Sequence, residues 1–302
     1  MELIIRILYD TIYHTTPILL LVLGGLFAYR AAVLNIALEG MMLAGAFLSV
    51  LTALYTQNIF IIFLSAIIGC LVLGKLFSYL SVLKKGNVII IGLAINMIVL
   101  AVAGFVLQSM QVPNLTPSWI KVSEFKMQIP VINSIPVVGD ILSGHPFITY
   151  LSFILIGVVF VLMYKTKFGI YTRVVGEKPE SAESLGINGN TYKILAIMIG
   201  ALFSAFAGIN LSFERIGIFT NNMSAGRGFI AIAAIYCGKG EPLKCTFYAF
   251  VFGFTRALAI NLSIYAGGLS ALFNIIPYVL MVLILALNSG FQFRNYRMRT
   301  YW

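Results

Sequence analysis

The residues with the clearest capacity for chemistry are an amide and a carboxylate within an apolar stretch. Residues 33–47 read VLNIALEGMMLAGAF, and Asn35 and Glu39 are the two polar side chains in it. They are four positions apart, so a helix through this stretch would place both on one face. An unpaired charge at the centre of a bilayer costs at least about 2.5–3.5 kcal/mol. The spacing therefore predicts either a hydrated solute path or a contact between helices.

Three more polar side chains interrupt apolar segments. Asn96 lies in GLAINMI, where it can join helices or hydrogen-bond a polar solute. Arg227 lies in GRGF and can line a path or extend towards the membrane surface. Arg256 lies in FGFTRALAINL, central enough to need water or a partner, for which Glu39 is one candidate. The candidate substrate-path residues are Asn35, Glu39, Asn96, Arg227 and Arg256.

The composition indicates that membrane helices must position these residues. The chain has 302 residues, 60% of them hydrophobic and 10% charged, and its mean hydropathy is +0.99. Soluble domains carry roughly 25% charged residues. The apolar runs are continuous, whereas the strands of membrane barrels alternate in polarity. We therefore predict an all-α polytopic membrane protein, forming one transmembrane domain over residues 1–302.

About eight or nine membrane segments are expected, since a spanning helix needs about 20 mostly apolar residues. The apolar piece 227–237 is too short to span and predicts a half-helix buried by its neighbours. Gly200, Ser204 and Gly208 form a small-residue stripe suited to close helix packing. Spanning helices are predicted near 11–29, 33–55, 59–82, 88–110, 147–164, 194–213, 243–265 and 270–289.

The basic residues predict which loops face the cytoplasm. The net charge of +10 comes from short clusters between apolar runs, such as Lys84-Lys85 and RNYRMR at 294–299. This distribution follows the positive-inside rule, and no basic–aromatic module predicts nucleic-acid binding. Segment 165–193 is basic and is expected in the cytoplasm, while loop 111–146, rich in Pro, Ser and Asn, is expected outside. Alternation places the N-terminus outside, unless a helix is broken.

The cytoplasmic segment contains a candidate docking helix. It reads VVGEKPESAESLGINGNTYK at 174–193. A proline and acidic residues favour a helix start, and a glycine favours its end, so a short surface helix is predicted near 179–185. Such a helix can dock into a groove on another protein, although a plain polar loop is the alternative. The residues assigned to docking are Pro179, Glu180, Glu183, Leu185, Gly186 and Ile187.

The sequence offers no set of residues for catalysis or for a cofactor. The nearest match to a P-loop, GCLVLGKL at 69–76, lacks the final Ser/Thr and lies in an apolar helix. The three cysteines and the two histidines have no metal-ligand or redox spacing. A membrane enzyme would need a nucleophile or a metal set. We therefore expect no cofactor, no enzymatic activity and no nucleotide site in this chain.

Three stretches resemble one transporter family. VLNIALEGMMLAGAF resembles the N-I-G-L-E-G-M-M signature of permease subunits of bacterial ABC importers for ribose, branched-chain amino acids and nucleosides. GRGFIAIAAIYCGKGEPL and AESLGINGNTYKILAIMIGALFSAFAG are similar to two further segments of these permeases. The match covers roughly 30–290, with Ala37 and Cys237 departing from the pattern. The LEGMM and GRGF motifs are most similar to those of nucleoside permeases that work with a basic-membrane-protein-type lipoprotein.

The resemblance implies a function and a set of partners. The chain would be a permease of the bacterial cytoplasmic membrane, paired with a second related permease in a heterodimer. A cytoplasmic ABC ATPase would drive alternating access, and an extracytoplasmic lipoprotein would deliver the solute. In this family the second helix is interrupted beside the path, so Asn35 and Glu39 would face a hydrated cavity. Two alternatives stay open: the same machinery moving ribose, another simple sugar or branched-chain amino acids, and an ion-coupled secondary transporter with Glu39 as proton relay.

Overall fold

The computed structural model describes residues 2–129, 137–265, 273 and 275–286. Within these residues the protein is α-helical, with four strands of two residues each at its loops. Two π-helical turns lie at Tyr79–Leu83 and Asn210–Glu214. The helices are α1 Glu2–Arg30, α2 Leu38–Tyr55, α3 Ile59–Ser78, α4 Val88–Ser109, α5 Val138–Leu142, α6 Phe147–Lys165, α7 Lys167–Glu177, α8 Pro179–Ser184, α9 Gly189–Ile209, α10 Arg227–Cys237, α11 Pro242–Tyr265 and α12 Ile276–Ala286.

Seven helices of the described part are long and apolar enough to cross a membrane: α1, α2, α3, α4, α6, α9 and α11. The helices α10 and α12 are apolar but shorter, 11 residues in the case of α10. The prediction of an all-α polytopic protein with a short half-helix at 227–237 is confirmed. The predicted span 270–289 lies partly outside the described residues, and its described part contains α12.

α1 is the central helix of the bundle. Of its most apolar window, 94% is buried, against 22% for both α3 and α4 and 28% for α6. It packs against α6, α9, α10 and α11. The apolar faces of α3, α4 and α6 are therefore left for lipid or for a partner subunit.

Contacts at the two ends of α1 orient the bundle. At its last residue, Arg30 Nε donates to the Gly240 carbonyl at 2.9 Å and Arg30 Nη1 lies 3.3 Å from Glu177. Near its start, the Tyr9 hydroxyl donates to the Gly144 carbonyl at 2.9 Å, and the Tyr9 ring stacks on His145. The N-terminus thus lies at the same end as loop 111–146, the end predicted to face outward.

Two short strand pairs organise that end. The strands β1 (Asn114–Leu115) and β4 (Phe219–Thr220) pair antiparallel, and so do β2 (Lys126–Met127) and β3 (His145–Pro146). The first pair ties loop 111–146 to the segment that leads into α10. The segment before α10 is therefore held by a strand pair as well as by the helical core.

One predicted helix begins later than expected. The prediction of a helix from residue 33 is wrong, because 31–37 is not α-helical and α2 begins at Leu38. Asn35 consequently does not share a helical face with Glu39. The small-residue stripe of α9 is confirmed as a packing surface: a Cβ on Gly208 would lie 2.5 Å from the Ala46 nitrogen of α2.

Candidate functional site

The N-termini of two helices, α2 and α10, meet inside the bundle. Glu39, in the first turn of α2, directs its carboxylate at the start of α10. Its Oε1 accepts a hydrogen bond from the Gly226 amide at 2.8 Å, and its Oε2 accepts from the Gly228 amide. A helix start carries unsatisfied N–H groups and a partial positive charge, so a carboxylate stabilises it. Glu39, only 8% exposed, is the cap of the half-helix.

Asn96 of α4 hydrogen-bonds the backbone at the start of α2. Its Oδ1 accepts from the Gly40 amide at 2.8 Å, and its Nδ2 donates to the Ile36 carbonyl at 3.1 Å. In a continuous helix these two backbone groups would bond each other, residue i to i−4. The Asn96 amide takes the place of that bond, which explains why α2 begins at Leu38.

Two glycines permit this close approach. A Cβ on Gly40 would lie 2.7 Å from Asn96 Oδ1 and 2.8 Å from Asn96 Cα. A Cβ on Gly228 would lie 2.6 Å from the Glu39 nitrogen and 2.7 Å from its Cα. The backbone atoms of Asn96 and Glu39 cannot move aside as a flexible side chain can. Positions 40 and 228 therefore require glycine. We call Glu39, Gly40, Asn96, Gly226 and Gly228 the helix-start junction.

A cavity of about 250 Å³ opens at the helix-start junction. Glu39 and Asn96 line it, together with Asn222, Ser224 and Phe229 and apolar side chains of α2 and α4. Phe229 is 41% exposed, and the Ser224 hydroxyl has no hydrogen-bond partner within the described residues. A mostly apolar hollow with a few convergent polar groups is typical of a small-molecule site.

Sequence reasoning missed Asn222, Ser224 and Phe229. They flank the α10 start, where Asn222, Ala225 and Gly226 have positive φ angles of 57°, 43° and 72°. A GRG motif after two asparagines could have indicated a tight turn. The direction in which Phe229 points is set by the register of α10, which the sequence does not reveal.

Asn35 lies apart from this cavity. It is 4% exposed, and neither its Oδ1 nor its Nδ2 has a hydrogen-bond partner in the described part of the chain. Its Nδ2 lies against α9, 3.5 Å from where a Cβ of Gly200 would be. A buried amide without partners usually contacts ordered water. Its predicted place on a substrate path stays a prediction.

The two predicted arginines also lie outside the lining of the cavity. Arg227 Nη1 donates to the carbonyls of Met223 at 2.7 Å and Ser224 at 2.9 Å, which fixes the turn before α10. Arg256 lies on α11. Of the five predicted path residues, the cavity brings together Glu39 and Asn96.

Two ionisable side chains are buried at the end of the bundle that carries loop 111–146, beyond the spanning helices. Arg215 is 6% exposed and lies over the Tyr13 ring, with Cζ 3.2 Å from the ring centroid. Burial lowers the pKa of Arg215 and that of His145 below their ordinary values, because both lose solvation of the charged form. His145 is therefore held neutral, with Nε2 2.9 Å from the Ile141 carbonyl.

The surface helix predicted near 179–185 is present as α8, with Pro179 in its first turn. Gly186 ends it with φ +72°, and the Ile187 amide bonds the Ala182 carbonyl at 2.9 Å. This is the six-to-one bond of a glycine-terminated helix. Leu185 is 74% exposed, beside a groove of about 410 Å³ that Pro179, Glu183, Gly186 and Ile187 help to line. An exposed leucine at a helix end fits the predicted docking role.

Comparison with known proteins places the chain in a family. The model of the branched-chain amino acid transport system / permease component family matches residues 7–285. The guanosine ABC transporter permease NupQ of Bacillus subtilis is 33% identical over 90% of this chain and 86% of its own length. The nucleoside ABC transporter permease NupC of Lactococcus lactis is 29% identical over 93% and 91%. A Haloferax volcanii protein described as a glucose ABC transporter permease, TsgC13, is 28% identical over 83% and 76%.

These matches extend over nearly all the spanning helices, including the α2 and α10 starts. The protein is a multi-pass membrane protein and a permease subunit of an ABC importer. Such a subunit works with an ATPase and with a substrate-binding protein, and its relatives are not themselves enzymes. The chain therefore belongs to the branched-chain amino acid transport system / permease component family.

Proposed function

We propose that this chain is one half of an ATP-driven nucleoside importer and that the solute passes the cavity at the helix-start junction. The observation that carries the proposal is the position of Glu39. A helix N-terminus inside a membrane protein is a natural site for an anionic group. Here a carboxylate of the chain itself already occupies the first amides of α10. The cavity is therefore suited to a neutral solute.

The other cavity groups fit a nucleoside. The amides of Asn96 and Asn222 and the hydroxyl of Ser224 can exchange hydrogen bonds with a base or a ribose. Phe229 offers a ring face to a base. The similarity to guanosine and nucleoside permeases supports the same class. A branched-chain amino acid would need a helix N-terminus for its carboxylate, and Glu39 already occupies the one at this cavity, which disfavours that alternative.

The remaining surfaces fit the partners of an importer. ATP hydrolysis takes place on a separate cytoplasmic ATPase that binds α8 and Leu185. The poorly buried faces of α3 and α4 meet a second, related permease, so that the cavity on α4 faces the centre of a heterodimer. A lipoprotein delivers the solute at the outward end, and the assembly lies in the bacterial cytoplasmic membrane.

The proposed mechanism is alternating access. Closure of the ATPases moves segment 179–187, and the helices rock so that the cavity opens to one side and then to the other. Contacts in the cavity are few, which allows release; tight binding would slow conduction. Affinity resides in the lipoprotein.

The test is uptake of labelled guanosine, uridine, ribose and leucine by cells carrying the wild-type or the Phe229→Ala permease. We expect ATP-dependent nucleoside uptake that falls several-fold in Phe229→Ala at equal membrane abundance. Phe254→Ala is the control, because Phe254 is similarly exposed at 42% but lies on α11, away from the cavity.

The alternatives predict different results. Loss of ribose or leucine uptake alone, on deleting the gene, would overturn the choice of solute but keep the permease. Uptake that collapses with an uncoupler while ATP is held constant would indicate the ion-coupled transporter. Equal nucleoside uptake by wild type and Phe229→Ala would show that the path does not pass this cavity.

A further inference from the structure

The C-terminal end of α1 contacts both the helix that leads into α8 and the half-helix α10. Arg30 Nη1 lies 3.3 Å from Oε1 of Glu177, the last residue of α7. Arg30 Nε donates to the Gly240 carbonyl at 2.9 Å, in the turn that follows α10. One planar guanidinium group therefore binds both elements at once, which the single ammonium of a lysine cannot do in the same geometry.

Close packing holds the same two elements against the end of α1. A Cβ on Gly176 would overlap the Arg30 carbonyl oxygen, so α7 and α1 touch through their backbones. A Cβ on Gly240 would lie 2.5 Å from the Tyr29 ring. The Tyr29 ring meets the Tyr236 ring of α10 edge-on, with the two centroids 5.1 Å apart. Because packed interiors have few voids, α7 and α10 cannot move independently of the end of α1.

Two stretches of chain connect this contact to the cavity at the helix-start junction. The first is α10, a helix of 11 residues and roughly 16 Å, whose start supplies the Gly226 and Gly228 amides to Glu39. The second is the non-helical segment 31–37, which joins Arg30 to the start of α2. Both stretches run from the neighbourhood of Arg30 to Glu39, so they close a ring of contacts.

The Arg30–Glu177 ion pair also lies next to the helix proposed to bind the ATPase. α7 ends at Glu177, α8 begins at Pro179, and α7 packs against both α8 and α1. The side chain of Glu177 is 65% exposed and that of Arg30 is 18% exposed. Ion pairs this exposed contribute little to stability. The position of the pair between α7 and α10 therefore indicates a role in coupling rather than in folding.

We propose that Arg30 is a positioning residue that transmits the movement of α8 to the cavity. The inference rests on the proposed function, because it requires an ATPase bound to α8. When the ATPases close, α7 displaces Arg30 through Glu177, and Arg30 displaces the end of α10 through the Gly240 carbonyl. Because α10 is short and continuous, its start moves as well and shifts Phe229 at the cavity. The ATPase then needs no contact with the helices that line the cavity.

The test measures the amount of labelled nucleoside imported per ATP hydrolysed, in vesicles that contain the complete importer. Glu177→Ala breaks the contact of Arg30 with α7 and keeps its bond to Gly240. We expect import per ATP to fall several-fold, while the Tm of the permease stays unchanged. Glu124→Ala is the control, because Glu124 is 67% exposed and pairs with Lys121 at 3.4 Å at the opposite end of the bundle. It should keep the wild-type ratio.

A double-mutant cycle tests whether Glu177 acts through Arg30. Arg30→Gln should lower import per ATP at least as far as Glu177→Ala, and the double variant should be no worse than Arg30→Gln. A wild-type ratio in Glu177→Ala, or losses that add up in the double variant, would overturn the inference.

The outcomes also separate this inference from the proposed function. If Leu185→Asp uncouples the importer and Glu177→Ala does not, the inference alone is wrong. A wild-type importer that hydrolyses ATP without importing nucleoside would overturn the proposed function and this inference with it.

Discussion

The helix-start junction and the segment 174–193 both use a glycine at a helix end, yet the surroundings of the two glycines are opposite. At the junction, a Cβ on Gly228 would overlap the backbone of Glu39 at 2.6–2.7 Å. In the segment 174–193, a Cβ on Gly186 would meet nothing within 4 Å, and its φ of +72° is the reason for glycine. Gly228 allows two helices to come into contact inside the chain. Gly186 allows a backbone turn at an exposed surface.

The helix-start junction stabilises the fold of the chain, whereas the segment 174–193 is the one proposed to act through a partner protein. The junction satisfies its donors and acceptors internally, through Glu39 and Asn96. The segment 174–193 leaves Leu185 exposed. Substitutions at the junction should therefore act on folding, and substitutions in the segment should act on coupling to the ATPase.

Gly228→Ala should have the largest effect. The added methyl has no space unless α10 moves away from α2, and overpacking of this kind costs about 1–3 kcal/mol. We expect a large loss of folded protein and a lower Tm of the purified chain. Gly157→Ala is the matched control, since a Cβ on Gly157 of α6 would meet nothing within 4 Å. Equal Tm values for Gly228→Ala and Gly157→Ala would show that lack of space for a Cβ is not the reason for glycine at position 228.

Glu39→Gln should be the next largest. A glutamine oxygen can accept from one of the Gly226 and Gly228 amides, but its NH₂ group cannot accept from the other. An unsatisfied buried donor costs about 1–3 kcal/mol, and the charge at the helix start is lost as well. The Tm should fall, and nucleoside uptake per folded molecule should fall with it. An unchanged Tm would show that the Glu39 carboxylate does not stabilise the start of α10.

The comparison also shows what could be predicted from the sequence. The spanning helices, the half-helix and α8 follow from apolar runs, a proline and a glycine, all of which are local signals. The role of Glu39 does not follow, because its partners are amides 187 and 189 positions away. Asn96 is similar: an amide 56 positions from Gly40 decides where α2 begins. Backbone groups carry no signature in a sequence, so their side-chain partners cannot be identified from it.

Gly186→Ala should have a smaller effect on stability than either junction variant. A non-glycine residue in the left-handed region costs roughly 1–2 kcal/mol, and here no steric overlap adds to it. We expect a slight drop in Tm and a local change at the end of α8, detected as faster amide hydrogen exchange at Ile187. A drop in Tm as large as that of Gly228→Ala would show that the segment is part of the core after all.

Leu185→Asp should leave stability within about 0.5 kcal/mol, because Leu185 is 74% exposed in the isolated chain. Its effect should appear only in the complex: a carboxylate in place of the leucine would be buried against the ATPase without a partner, which weakens docking. We expect an unchanged Tm for the permease alone, together with ATP hydrolysis that no longer drives nucleoside uptake in reconstituted vesicles. Ile216→Asp is the control, because Ile216 is 47% exposed at the opposite end of the bundle. If Leu185→Asp transports as well as the wild type, α8 is not the docking element. The helix-start junction and the segment of α8 would then differ in packing and not in function.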